Sequence, residues 1–200
     1  MPLAHYVKDK ERKWMFKVIE QQSPWPERDA CLMTFFLATP CTIYELNNIK
    51  LMDVYSFGSR QPKKFKLLKK DYKGNERFCY LTNKDLRKSI DRYVGTLSEY
   101  IGAMSELFVT CKGEPFSLTK TPKGYKADSL KRHIFDLMKE AGIENPGMDS
   151  GRRTFAVNLH RAGIDMSHIH HLLGNKAKKT TQRQLTSDPI NMADIAARAF

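Results

Sequence analysis

The chain has 200 residues, enough for one domain with a sizeable core, and its 34 Lys and Arg against 22 Asp and Glu leave a net charge of +12. That surplus points to a polyanionic partner, nucleic acid first, and says nothing about fold. The basic residues are spread along the chain and no apolar run approaches the roughly 18 residues of a membrane helix, which argues against a membrane partner and for a cytoplasmic, nucleoid-associated protein.

Taken in chain order, Trp14, Met15, Val18 and Ile19 recur at helical spacing, and Ser23-Pro24-Trp25-Pro26 interrupts them ahead of a second apolar helix over roughly 27–38. A third helix is predicted around 43–49. Lys66-Leu67-Leu68-Lys69-Lys70 and Arg77-Phe78-Cys79-Tyr80-Leu81 flank a turn at 71–75 and read as a β-hairpin carrying lysines. Leu86, Ile90, Tyr93, Val94 and Leu97 make one helix face, and Leu107-Phe108-Val109 reads as a short strand before the turn at 112–115. Stretches 56–61 and 113–125 read as irregular.

From Asp128 onward the pattern is helical. Leu130, Ile134, Leu137, Met138 and Ala141 form a stripe ended by Gly142, and Phe155, Leu159 and Ala162 form the next, ended by Gly163. Asp165 caps a short helix with Met166, Ile169, Leu172 and Leu173 before Gly174, and Asp188-Pro189 opens a last one with Ile190, Ala193, Ile195, Ala196, Ala199 and Phe200. The expected class is α+β, mostly helical, with a small three-stranded antiparallel sheet. Cys31, Cys41, Cys79 and Cys111 form no CxxC pair, which argues against a zinc or thioredoxin-type site and for buried thiols. His168 and His171 stand three apart on a helix but lack a third ligand at helical spacing, so neither a metal nor a cofactor is expected.

The most specific blocks lie between 149 and 185: Gly151-Arg152-Arg153-Thr154-Phe155-Ala156, His160-Arg161-Ala162-Gly163-Ile164-Asp165, Ile169-His170-His171-Leu172-Leu173-Gly174 and Thr180-Thr181-Gln182-Arg183. In this order, and with the elements before them, they resemble the catalytic domain of tyrosine recombinases, also called phage integrases, over nearly the whole chain. The resemblance implies a site in which two arginines hold a DNA phosphate, a hairpin lysine and histidines move protons, and a C-terminal tyrosine attacks. Lys73, with Lys70 as the alternative, matches the lysine, and Arg152 matches the second arginine.

Four other positions depart from the pattern. Thr42 stands where the first arginine opens Arg-x-x-Glu, with Glu45 kept; a neutral hydroxyl does not replace a charged, forked donor. Asp149 stands where histidine is usual, Asn175 follows Leu173-Gly174 in place of a second histidine, and Gln184 occupies the place of the tyrosine. No tyrosine follows Tyr125. Losing one preorganised donor to a developing oxyanion costs about 10²–10³ in rate, and a missing nucleophile has no local substitute. Thr180, Thr181, Thr186 and Ser187 lie near, but the sequence offers none of them an evident base.

The expectation is therefore a catalytically inactive homologue that binds double-stranded DNA, as a regulator or architectural accessory factor of a bacterial mobile element. Arg152, Arg153, Lys73, Lys70, Lys176 and Lys178 are the candidate phosphate contacts. A single domain over 1–200 leaves no room for the family's N-terminal core-binding domain, and the apolar stripe of 189–200 suggests either a homodimer or a helix folded back onto its own domain. Two other classes stay open: a recombinase with an unorthodox nucleophile, and a protein-interaction module reusing the frame. Arg152 is also open to a purely structural, salt-bridged reading, and RNA shares the charge argument.

Overall fold

The computed structural model describes residues 4–58, 61–71, 73–97, 102, 104–122 and 124–186. Helix α2 (Pro26–Ala38) lies at its centre, opened by a proline at its first turn, where the missing N–H costs nothing. Its Leu32, Phe35 and Phe36 are essentially inaccessible, and α1 (Asp9–Gln22), α5 (Lys84–Val94) and α7 (Ser150–Arg161) pack around it. The α7 contact is close: a Cβ at Gly151 would stand 2.1 Å from the Phe36 carbonyl oxygen, so only glycine lets the start of α7, and Arg152 with it, approach α2. Between them run the short helices α3 (Ile43–Asn47) and α4 (Leu51–Val54).

The predicted faces of α5 and α6 (Asp128–Glu140) are the observed ones: Leu86, Ile90, Tyr93 and Val94 are buried on the first, Leu130, Ile134, Leu137 and Met138 on the second. Asn83 caps α5 by accepting from the Leu86 N–H at 3.0 Å, and Asp165 caps α8 (Met166–Leu173) by accepting from Ser167 at 2.7 Å. A smaller apolar cluster of Tyr6, Ala156, Val157, Ile169, Leu173 and Leu185 joins α7, α8 and α9 (Lys178–Thr186). In α7 the buried apolar side chains are Ala156 and Val157; Phe155 and Leu159 are half-buried and Ala162, just past the helix, is exposed, so the stripe is rotated from the one expected.

The strands differ from expectation. Two separate two-stranded ladders replace one three-stranded sheet among the described residues: β1 (Lys64–Lys66) pairs with β2 (Phe78–Tyr80), and β3 (Thr119–Thr121) with β4 (Gly124–Lys126). The second lies inside the stretch read as irregular. At 107–109 the backbone makes only bridges, Lys50↔Glu106 and Val109↔Pro115, because its neighbours are the start of a helix and a tight turn ending in a proline without an N–H. The apolarity that suggested a strand serves burial instead, with Phe108 edge-on to Phe35 at 5.7 Å and stacked on Tyr93 at 6.1 Å. Helix α9 falls in the segment read as helical but shows no apolar stripe of its own: its inward residues are Thr181, Gln184 and Leu185, two of them polar. The helix predicted over 189–200 lies outside the described residues, and no described helix is long and apolar enough to cross a membrane.

Candidate nucleic-acid interface

The site forms where the start of α3, the β1–β2 hairpin and the start of α7 meet α8 and α9. Thr42 is the N-cap of α3, and its hydroxyl is consumed there, accepting from the Glu45 N–H at 3.2 Å and donating to Glu45 Oε2 at 2.9 Å. Glu45 is buried, and its other oxygen accepts from Arg77 Nη1 at 3.1 Å and the Lys69 N–H at 3.3 Å. A buried carboxylate needs such a cation. Arg77 supplies it from the hairpin, its guanidinium also facing the carbonyls of Pro40 and Leu172 at 3.4 and 3.5 Å. Sequence reasoning missed this residue; the signal available was an unpaired acid, Glu45, on an apolar segment.

Gly174 makes room for Arg77. A Cβ there would stand 2.4 Å from Arg77 Cδ, and φ of +63° is left-handed, so the glycine ends α8 and accommodates the arginine at once. Arg152 lies alongside, with Nη2 donating to the Leu173 carbonyl at 2.5 Å and to Asn175 Oδ1 at 3.1 Å. Its Nη1 is 3.8 Å from Asp149, longer than a hydrogen bond, and its side chain keeps 12% exposure. Burial and then the neighbouring Arg77 charge pull the Arg152 guanidinium below its usual range, against the opposing pull of Asp149. An anion brought to Nη1 would relieve that penalty. The Nε atoms of Arg77 and Arg152 are both buried without a hydrogen-bond partner among the described residues.

Asn175 extends the network to α9, donating to Thr181 Oγ1 at 3.0 Å and to Gln184 Oε1 at 3.4 Å. Gln184 is 7% exposed, so its amide is folded inward. Thr181 does have an imidazole within reach, His170 Nδ1 at 3.0 Å, which corrects the reading that no base stands near it. The hydroxyl has no exposure, however, and no substrate reaches it. Burial and the Lys178 and His171 charges hold the His170 imidazole below its usual range, favouring the neutral form.

The lysines divide from the second α7 arginine. Lys70 and Lys73 flank the hairpin turn and are exposed; the turn is held by Asp71, which accepts from the N–H groups of Lys73 and Asn75, each at 2.8 Å. Lys176 and Lys178 are exposed between and at the start of α8 and α9. The hairpin turn and α8 are electrostatic neighbours, since His171 lowers Asp71, and so are α8 and α9 through His170 and Lys178. Arg153 points the other way: 8% exposed, it donates to the Gln184 carbonyl at 3.3 Å and to the Ala4 carbonyl, tying the start of the chain to α9. It does not join the Arg152 surface. No group of three metal-ligating side chains occurs among the described residues.

A family model described as the phage integrase family matches residues 5–189. The chain belongs to this family. Tyrosine recombinase XerC of Staphylococcus epidermidis is 28% identical over 183 residues, covering 90% of this chain and 56% of the relative. The XerC of Staphylococcus carnosus is 28% identical over 185 residues with the same coverage. This integrase-family chain thus spans a little over half the length of those curated relatives. Among solved structures, XerA recombinase superposes with a TM-score of 0.70 at 21% identity, over 98% of this chain and 63% of that one. The catalytic domain of bacteriophage HP1 integrase gives 0.60 at 15% identity, over 99% and 96%. The fold is that of an integrase catalytic domain, mostly helical with small antiparallel ladders.

Proposed function

We propose that this integrase-family chain binds double-stranded DNA without cutting it, as a regulator or architectural accessory factor of a mobile element. The observation that carries the reading is the closed polar chain Arg152–Asn175–Gln184, in which the residue at the nucleophile's place is inward-facing and bonded to the residue at the second histidine's place. An amide has no nucleophilic oxygen to offer a phosphate, and a hydroxyl with no exposure offers none either. Solved neighbours include a XerH recombinase bound to a palindromic difH substrate and a lambda integrase dimer bound to a COC' core site, which supports DNA as the partner class here.

In this reading the outer edge of Arg152, with Lys70, Lys73, Lys176 and Lys178, meets backbone phosphates, while Arg77 and Glu45 hold the floor beneath. Arg153 has no such part, since its donors serve carbonyls. Contacts of this kind position a duplex without reading its sequence and release counterions, so affinity falls steeply with salt. Pairing of two copies through 189–200 would add a second set of contacts and raise affinity by linkage. The test is duplex binding across a salt series. Arg152→Ala is expected to weaken binding for every sequence and lower the slope of log K against log salt by about one; an unchanged slope assigns Arg152 to structure alone.

A further inference from the structure

The β3–β4 hairpin is unlike everything else in the fold. Thr119↔Lys126, Lys120↔Tyr125 and Thr121↔Gly124 pair across it, and of these six residues all but Thr121 are exposed. A two-stranded hairpin with both faces in water is marginally stable, since no side-chain layer repays its ordering. The strand ends are nevertheless joined: Thr121 Oγ1 donates to the Gly124 carbonyl at 2.7 Å, and Gly124 has a φ of +114°. Residues 119–126 carry Lys120, Lys123 and Lys126 and no acid. Tyr125, opposite Lys120, is 56% exposed. A carboxylate at the root, Asp128, lies near Lys126 but is bonded by Lys131 at 2.7 Å, so the ribbon keeps a net positive charge.

The root of this ribbon is fixed relative to the candidate interface. Asn47, the last residue of α3, donates to the Phe116 carbonyl at 3.2 Å, and α3 begins at Thr42. The rise of a five-residue helix, one hydrogen-bonded contact and three extended residues together span at most roughly 25 Å from Thr42 to Thr119. One turn of B-DNA is about 34 Å, so this span is shorter than the stretch of duplex that one face of the protein would cover. We propose that the β3–β4 hairpin is a second DNA-contacting element, a basic ribbon set edge-on to the same duplex, so that Lys120 and Lys126, which the register places on opposite faces, meet backbone phosphates on either side of it. The proposal rests on the DNA-binding reading above. Duplex DNA fits better than an acidic protein because the ribbon offers cations and a single exposed aromatic, while protein interfaces centre on a desolvated apolar patch.

The test is fluorescence anisotropy of a labelled duplex of about 30 base pairs between about 50 and 200 mM salt. Lys120→Ala/Lys126→Ala is expected to weaken binding about tenfold and lower the salt slope by about two, with an unchanged melting temperature because both side chains are exposed. Lys10→Ala/Lys139→Ala removes the same charge from α1 and α6 and is expected to leave the slope as it was. Binding by the parent chain with an unchanged slope for the hairpin variant overturns this proposal alone, and so does an equal loss in the α1/α6 variant, which marks a bulk-charge effect. Failure of the parent chain to bind any duplex overturns the DNA reading and the ribbon with it.

Discussion

The two hairpins of this chain have the same strand length and both carry lysines, yet one belongs to the interior and the other to the solvent. β1–β2 buries Phe65, Leu67, Cys79 and Leu81 and sends Arg77 under the candidate interface to Glu45. β3–β4 buries none of its six residues. A basic hairpin is therefore not one kind of object: in the first, Arg77 is buried at its base while lysines are exposed on its strand and turn, and in the second nearly every charge is outward. The contrast makes separable predictions, because damage to the first falls on stability and damage to the second on binding.

The largest effect is expected from Arg77→Ala, which leaves Glu45 as a buried, uncompensated carboxylate. Loss of one partner of such a pair costs about 3–5 kcal/mol, measured as a drop in urea midpoint, and Arg77→Ala/Glu45→Gln should recover part of it. Tyr125→Ala in the other hairpin should change stability by less than about 0.5 kcal/mol. A near-neutral Arg77→Ala would erase the distinction. Gly174→Ala comes next: a left-handed residue with a Cβ costs about 1–2 kcal/mol, to which the overlap with Arg77 adds. The pair Gly174→Ala/Arg77→Ala should lose less than the sum of the singles, because they share one contact.

Smaller effects concern charge. Asp149→Asn removes a carboxylate 3.8 Å from Arg152 and is expected to tighten duplex binding severalfold, read from the same salt series. The smallest is a titration. Burial raises the Asp71 carboxyl, but hydrogen bonds from Asn75 and Lys73 outweigh it and hold the group below the usual 3.8. A depressed folded-state value means that the carboxylate supports the turn above the unfolded pKa, and that support is lost as pH falls through the folded one. Asp128, at the root of the other hairpin, is lowered chiefly by its Lys131 bond and follows the same sign. Carboxyl NMR shifts should therefore place both midpoints under 3.8, with the Lys73 and Asn75 amides following only Asp71.

Much of the helical frame was legible because burial and period agree: α5, α6 and the caps at Asp165, Gly142, Gly163 and Gly174 follow from spacing and residue type. What was not legible depends on direction in space. Arg152 and Arg153 are neighbours, but one residue of helix turns a side chain by about 100°, enough to send one to the site and the other to the Ala4 and Gln184 carbonyls. Arg77 follows a lysine-rich run, and only the fold brings it to Glu45, 32 positions earlier. Helix α9 hides because its buried face uses Thr181 and Gln184, and the β3–β4 hairpin hides because no alternation marks strands with two wet faces.

We propose above all that the chain holds DNA and makes no bond to it. A nicked suicide duplex, which traps a covalent intermediate by letting the cut end diffuse away, tests this directly on the chain and on Gln184→Tyr. A salt-sensitive complex that disappears under denaturing electrophoresis is expected in both cases, because Thr42, Asp149 and Asn175 still leave the phosphate poorly activated when a tyrosine is restored. A denaturation-resistant protein–DNA adduct from the unaltered chain would contradict it.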